Sequence, residues 1–501
     1  MGAEYSNEDG LSPSASSASG KTFVSNAVQS QSVLINPSNV ITAELAPSTD
    51  GSKVSAQASS GMNSSLAVSG NSLTSGTKFR IIAYRADDGS YQAYQDYTVG
   101  QPALPMMLDA GVAYNLIVYS FGRTTLPTIS SEEMSTLPNA TWYGFSVGSI
   151  DLMYQKIPFS PVAGVNNPVN ITLQHKLTQI TTILNSKGTA GNITSVSNAS
   201  ISPNYTSGNF SLSTGVLNAR NGIGSASVTF PPINNSTVTS TPVLINTDTQ
   251  GNANATFKAT VTIGGTTTDI NVGGFNITPG NKSNLTINIS KCGAYLSADT
   301  SVWKEFMCHN LGADTSKDPF SPSAAIQGAK YQWGAQTGEA NKYYSQAYDQ
   351  SNTGAKPSWN LNMPLNSNSW QNNTGLTKGV NDPCPSGYRV PSYQQMTDLV
   401  NSNTVANGRI ERVGTWSSVF NDYYNYSAAL YFKTNGQRSL MLPVAGMLNH
   451  YDGSLSSVGY FGRYWSALYT INGFYLEFTN NILGTNDFSP LFALPIRCIK
   501  G

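Results

Sequence analysis

Three short runs in the last third of the chain set flat aromatic faces beside amide and carboxylate groups: Trp359-Asn360, Trp370-Gln371-Asn372-Asn373 and Asn421-Asp422-Tyr423-Tyr424-Asn425-Tyr426. A sugar ring presents one apolar face ringed by hydroxyls, so an exposed Trp or Tyr beside Asn, Asp or Gln has the composition of a saccharide site. On that ground the candidate ligand residues are Trp359, Trp370, Asn372, Asn421, Asp422, Tyr423 and Tyr424. The competing reading is that these aromatics fill the core of a helix-poor domain.

Catalytic chemistry needs a poised acid, base or nucleophile, and the usual arrangements are missing. There is no G-x-S-x-G, no H-E-x-x-H, no phosphate-cradling glycine loop and no EF-hand loop. His175 falls inside a strand pattern and reads as a hydrogen-bonded packing residue, and His309 as a neighbour of Cys308. Of the acidic pairs, Asp87-Asp88 reads as a turn and Glu132-Glu133 as a solvated loop. No catalytic residue, cofactor or metal is expected. Four cysteines, Cys292, Cys308, Cys384 and Cys498, lie in the last 210 residues with none before them. Without C-x-x-C spacing or clustered histidines, they read as two disulfides rather than a metal site. Three pairings are possible; the favoured one joins Cys292 to Cys308 and Cys384 to Cys498, which implies an oxidising compartment.

The elements that must position these residues are nearly all strands. Residues 1–21 lack periodicity and read as a flexible leader or tether, with order beginning near Thr22. From there to about residue 290, short β-branched or aromatic runs alternate with Gly, Asn, Pro and Ser. The clearest hairpin spans residues 78–99 around an Asp88-Gly89 turn. Further strands are expected at 113–121, 169–184 with one change of phase, 226–230, 256–263, 268–272 and 285–289. Strands at this spacing indicate β-sandwiches, and the length suggests two, divided near residues 163–168. Beyond residue 291 the texture changes, gaining the cysteines and six of the seven tryptophans. One helix is expected at 392–401, opened by a Ser392/Gln395 capping box with Met396, Leu399 and Val400 on its apolar face. Residues 311–380 read as nearly all loop.

Only 11% of residues are charged, and 27 basic residues cancel 27 acidic ones, against about 25% charged in an average soluble protein. No basic surplus exists to neutralise phosphates, which argues against nucleic-acid partners and against electrostatic attachment to an anionic membrane. Weak salt dependence is expected for both assembly and ligand binding. No run approaches the ~20 apolar residues of a membrane span.

Two resemblances follow from particular motifs. The segments beginning Gly76-Thr-Lys-Phe-Arg-Ile-Ile-Ala-Tyr and Tyr114-Asn-Leu-Ile-Val-Tyr-Ser-Phe, followed by Asp151-Leu-Met-Tyr and Ile171-Thr-Leu-Gln-His-Lys-Leu, resemble the fimbrillin family of Bacteroidetes, subunits of type V pili, over roughly residues 30–290. That resemblance implies two transthyretin-like sandwiches, lipoprotein export, and assembly in which a neighbour's strand fills a groove. Cys292-Gly-Ala-Tyr, Trp303-Lys-Glu-Phe-Met-Cys-His-Asn-Leu-Gly, Asp382-Pro-Cys-Pro-Ser-Gly-Tyr-Arg-Val-Pro-Ser and Leu494-Pro-Ile-Arg-Cys-Ile-Lys resemble the Fibrobacter succinogenes major paralogous domain, similar to C-type lectin-like folds, over residues 291–501. Two departures bound what is implied. The Glu-Pro-Asn and Trp-Asn-Asp motifs of calcium-dependent sugar binding are missing. Lys21 and Lys53 are the only basic residues ahead of Lys78, so arginine-directed removal of a first strand has no target before Arg80.

The expected architecture is therefore mainly β: residues 22–165 and 166–290 as two transthyretin-like sandwiches, then 291–501 as a helix-poor α+β, C-type lectin-like domain. The expected function is a non-enzymatic pilus subunit at the cell surface, at the tip. It would accept a donor strand from the next pilin and present a lectin-like domain to a glycan or protein ligand, with outer-membrane attachment only through a lipid anchor on the precursor. The tip follows from Cys498: a last strand pinned by a bridge cannot extend into another subunit's groove. The removable strand would be residues 23–35. The alternative is a non-pilus surface lipoprotein that binds glycans. A third reading, an enzyme like the formylglycine-generating sulfatase activators, conflicts with bridged thiols.

Overall fold

The computed structural model describes residues 1–6, 28–48, 71–146, 150–188, 191–364, 369–371, 377–420 and 422–501. Strands make up 45% of the chain and helices 5%, so the protein is mainly β. The chain divides into two compact units: residues 1–30, 44–184 and 193–286, and residues 31–43, 185–192 and 287–501. Four strands, Gln29–Asn36, Asn39–Pro47, Thr178–Gly188 and Lys282–Lys291, contain a division point.

The first unit is built on a seven-stranded sheet in the order Asn71–Ser72, Gly2–Glu4, Thr172–His175, Met153–Phe159, Tyr114–Ser120, Lys78–Arg85, Tyr91–Thr98. Both faces of its centre are covered, which is why Lys78–Arg85 and Tyr114–Ser120 read as near-continuous apolar runs rather than alternating ones. Ile82, Tyr84, Ile117 and Tyr119 pack with Phe210, Leu212 and Leu217 on one face, and Ile81, Ala83, Leu116 and Val118 pack with Met153 and Leu173 on the other. Tyr91–Thr98, at the edge, alternates half-buried and exposed residues. The hairpin expected at 78–99 closes from Lys78↔Thr98 to Tyr84↔Tyr91.

A second sheet runs Val216–Ser227, Ile193–Ser211, Ala255–Ile263, Thr266–Phe275, with Thr141–Ser146 also paired to Ile193–Ser211. The 19-residue strand Ile193–Ser211 has no counterpart in the sequence reading. Its run of Ser, Asn and Thr carries little apolar alternation, and its pairing shifts register at several points. The phase change expected within 169–184 is a break between two strands, Thr172–His175 and Thr178–Gly188, which belong to different sheets.

Residues 2–4, assigned to a tether from sequence, form a buried strand parallel to Thr172–His175 and antiparallel to Asn71–Ser72. Main-chain pairing does not depend on side-chain pattern, so a three-residue insertion of this kind leaves no periodic signal. The rest of the leader expectation, residues 7–21, lies outside the described residues. So do 23–27 of the segment read as removable; its remainder falls largely in the strand Gln29–Asn36.

Glu133 corrects the reading of Glu132-Glu133 as a solvated pair. It is buried, and its carboxylate accepts from the Tyr119 hydroxyl at 2.5 Å and from the Ser130 N–H at 2.9 Å. Arg80, 2% exposed, donates to both oxygens of Asp96 at 2.6 and 2.8 Å, to the Tyr119 hydroxyl at 3.0 Å and to the Pro127 carbonyl at 2.9 Å. This network ties residues 127–133 to the sheet. His175 does pack as the strand pattern suggested: its Nδ1 lies 2.8 Å from an Asp151 oxygen, and its ring stacks on Tyr5.

Among its described residues, the second unit consists of short sheets and two α-helices, Gln346–Ser351 and Tyr393–Ser402, the latter packed on the strands Gly462–Tyr469, Gly473–Phe478 and Leu483–Phe488. The former was not anticipated, because six residues hold too little periodicity to read. The latter carries both bonds of the capping box: Gln395 N–H to Ser392 Oγ at 3.2 Å, and Ser392 N–H to Gln395 Oε1 at 3.1 Å. Met396 and Leu399 enter a core with Leu430, Phe432, Leu440, Tyr464 and Phe478. Ser392→Ala leaves first-turn N–H groups without a partner and is expected to cost about 1 kcal/mol in denaturant unfolding; an unchanged midpoint would contradict that role for the cap. A second core centres on Trp333, Trp370 and Trp465, together with the Cys384–Cys498 bridge. The other bridge joins Cys292 to Cys308.

Candidate functional site

In the second unit, the candidate ligand residues are sorted by two loops that meet a third. The loop after Gln346–Ser351 is held to residues 449–455: the Lys356 N–H donates to the Asp452 carbonyl at 2.7 Å, and the Leu455 N–H to the Thr353 carbonyl at 2.8 Å. Phe420 and Asp422 are held to the stretch at 457–458, with Ser457 N–H on the Phe420 carbonyl at 2.7 Å and Val458 N–H on the Asp422 carbonyl at 3.1 Å. These ties bring Trp359 and Tyr423, 64 residues apart in sequence, against one cluster of Tyr344, Leu448, Leu455 and Val458.

Trp359 is the base of this surface. It is 9% exposed, stacks on Tyr344 with ring centres 5.3 Å apart, and donates its indole N–H to the His450 carbonyl at 2.9 Å. Gly453, at φ +73°, lets the ring approach closely, since a Cβ there would fall 2.3 Å from the indole. Around this base stand exposed tyrosines: Tyr424 at 69% and Tyr451 at 74%. Tyr451 packs on the His450 ring, and Tyr424 lies edge-on to Tyr423. Asp422 is occupied in a turn, accepting from the N–H groups of Tyr424 and Asn425 at 3.1 and 3.2 Å.

Beneath the aromatics lies a buried charge pair. Lys330 Nζ is 3.3 Å from an oxygen of Asp349, both side chains 2% exposed. Burial raises the Asp349 pKa against the opposing charges of Lys330 and Lys356. Burial likewise pushes the Tyr426 hydroxyl up to about 12, with Asp349 adding to it. Lys356 sits over the Tyr348 ring at 5.6 Å, and burial lowers its pKa. Lys330, Asp349 and Lys356 were missed from sequence, because isolated charges on a short strand, a short helix and a loop give no pattern until those segments meet. The chemistry available is stacking and hydrogen bonding. Among the described residues, no three His, Cys, Asp or Glu side chains group as metal ligands.

Trp370 does not belong to this surface. It is 0% exposed, packs 5.1 Å from Trp333 and donates its N–H to the Ala335 carbonyl at 3.0 Å. Both faces and the polar edge are therefore used internally, and the competing core reading describes it. Asn372 and Asn421 lie outside the described residues.

The first unit carries a separate feature, an apolar groove of about 1100 Å³ on the face of the seven-stranded sheet. Phe79, Ile81, Tyr97, Leu116, Phe159 and Ile171 line it, and Leu104 and Met107 stand exposed at its margin. Met1, next to the strand Gly2–Glu4, also reaches it.

Residues 110–303 match the family described as fimbrillin-like. Several solved structures are similar to part of the chain. A candidate cell adhesion protein from Bacteroides uniformis shares 20% identity over 43% of this chain and 88% of its own, with a TM-score of 0.28. One from Bacteroides fragilis shares 11% over 44% and 81%, with a TM-score of 0.30. A candidate polysaccharide-binding protein from Bacteroides thetaiotaomicron shares 12% over 42% and 82%, with a TM-score of 0.27. No curated protein matches the chain.

Proposed function

We propose that this protein is a non-enzymatic pilus subunit at the cell surface, which accepts a donor strand in its first unit and presents a ligand-binding surface on its second. The fimbrillin-like match over residues 110–303 carries this reading. The groove over the seven-stranded sheet supports the acceptor half. Phe79, Ile81, Tyr97, Leu116, Phe159 and Ile171 give it an apolar lining, and it lies next to the short strand Gly2–Glu4, since Met1 reaches it. Main-chain pairing would supply affinity for an incoming strand, and the apolar lining would select alternate side chains.

The tip position is supported by the strand Ile499–Lys500. It pairs with Tyr388–Arg389, Ile499 is buried in the core, and Cys498 is bridged to Cys384. Those residues are committed to their own unit and cannot be donated. The second unit would then carry adhesion, through the tyrosines around Trp359, toward a glycan or protein, and a lectin-like fold over residues 291–501 fits that role. A lipid anchor on the precursor would account for outer-membrane attachment.

The test is a photo-reactive amino acid at Phe79 or Ile171 of the full chain, illuminated during pilus assembly. The expected result is a cross-link to the terminal strand of another pilin, with immunogold label at pilus ends. Label confined to the outer membrane and no cross-link to any pilin would favour the non-pilus lipoprotein instead.

A further inference from the structure

A cavity of about 500 Å³ in the second unit is distinct from the Trp359 surface and from every motif read in the sequence as a ligand site. It is organised by the short hairpin Gly293–Tyr295/Trp303–Glu305, in which Tyr295 and Trp303 are direct cross-strand partners. Both rings are held at their polar edges. The Trp303 indole N–H donates to Thr434 Oγ1 at 2.9 Å, and the Tyr295 hydroxyl meets Asn435 Oδ1 at 3.3 Å. The indole also lies against Gly293, where a Cβ would fall 2.2 Å from the ring. The two aromatics thus form a fixed, partly exposed wall.

The remaining polar groups are unequal in what they offer. Glu305 is saturated: Lys291 Nζ lies 2.6 Å from Oε1, while Lys500 Nζ at 2.9 Å and Ser38 Oγ at 3.0 Å share Oε2. Burial alone would raise its pKa, but bonds to Lys291, Lys500 and Ser38 outweigh that and hold it below the ordinary value. Each ammonium has three N–H groups, so the two lysines keep donors to spare after serving Glu305. Lys304 also lines the cavity and has no ion-pair partner among the described residues. Lys291, Lys304 and Lys500 outnumber Glu305 even if Gly501 carries a terminal carboxylate. In a chain whose charges sum to zero, this cavity gathers more cationic than anionic groups.

We infer that the Trp303 cavity binds an acidic saccharide, with a sugar ring against Trp303 and Tyr295 and its carboxylate or sulfate on Lys291 and Lys500. The inference does not depend on pilus assembly. It departs from the salt insensitivity expected from overall composition, because the charges here are local.

The experiment is titration calorimetry of the full chain with trigalacturonate, a heparin-derived sulfated disaccharide, their neutral counterparts (trigalactose and the desulfated, carboxyl-reduced disaccharide) and inorganic sulfate. At least one acidic sugar is expected to bind about tenfold tighter than its neutral counterpart, and to weaken several-fold between low and physiological ionic strength. Lys291→Gln and Lys500→Gln should each lose about tenfold, and both positions are solvent-accessible enough for the fold to survive, checked by unchanged unfolding midpoints. A preference for the galacturonate would assign a carboxylate, and for the disaccharide a sulfate. Equal binding of acidic and neutral sugars, sulfate alone binding as well as any sugar, or no binding by any probe would overturn the assignment.

Discussion

Replacing both Cys384 and Cys498 by Ser is expected to lower the stability of the second unit by about 4–5 kcal/mol, the largest effect of any paired substitution in that unit. The bridge closes a loop with a sequence separation of 114. In the chain-entropy model, a cross-link over a loop of about 100 residues removes roughly 4.7 kcal/mol of freedom from the unfolded chain. The shorter bridge, Cys292–Cys308, spans a separation of 16 and is worth about 3 kcal/mol on the same basis. Packing adds to the longer bridge, since both its cysteines are buried among Trp333, Trp370, Trp465 and Leu494. A unit of this size loses roughly 2–4 °C per kcal/mol, so a fall of about 8–20 °C is expected in the calorimetric transition that belongs to it. The companion measurement is alkylation by an impermeant thiol reagent. A free thiol at Cys498 in the untreated protein, or a shift below about 1 kcal/mol in the double variant, would also remove the argument that Ile499–Lys500 is unavailable as a donor strand.

Much of this framework was legible because it depends on signals that sequence carries locally. The hairpin from Lys78 to Thr98 has two strands of β-rich residues around an Asp-Gly turn. The helix Tyr393–Ser402 has both partners of its cap within three residues. What could not be read depends on pairing at a distance. Ile193–Ser211 is a strand because Val216–Ser227 and Ala255–Ile263 flank it, and its own hydroxyl and amide residues would suit a loop equally well. The ligand candidates divide for the same reason. Trp359 and Trp370 stand in similar company, each followed by Asn or Gln, and both are buried, yet one packs in a small cluster with Tyr344 and Tyr423 and the other is enclosed beside Trp333. Net charge also says nothing of local grouping: in a chain whose charges sum to zero, Lys291, Lys304 and Lys500 gather at one cavity.

Glu133 is the sharpest case of information absent from local sequence, and it leads to the second large effect. Arg80→Met is expected to destabilise the first unit by about 3–5 kcal/mol, the cost of leaving one member of a buried pair unpartnered. Burial alone would lower the Arg80 pKa, but the Asp96 hydrogen bond and the nearby Asp96 and Glu133 carboxylates outweigh it and raise the guanidinium above its ordinary value. Without that cation, the Glu133 carboxylate, 3.7 Å from Arg80 Nη1 and 2% exposed, keeps only the Tyr119 hydroxyl and the Ser130 N–H. Glu133→Gln should cost less, because an amide oxygen can still accept from Tyr119 while the uncompensated charge disappears. The decisive measurement is the double variant Arg80→Met/Glu133→Gln. If the network acts as a unit, its loss falls short of the sum of the two single losses by more than about 1 kcal/mol, as expected for contacting groups. Additive losses would mean that Arg80 is held by Asp96 alone, and that residues 127–133 are fixed to the sheet by packing rather than by charge. The distinction bears on the proposed acceptor groove, since Arg80 lies in the same strand as Phe79 and Ile81, which form part of its lining. A strand anchored from its opposite face by a charge network would keep those two side chains in register while an incoming strand packs against them.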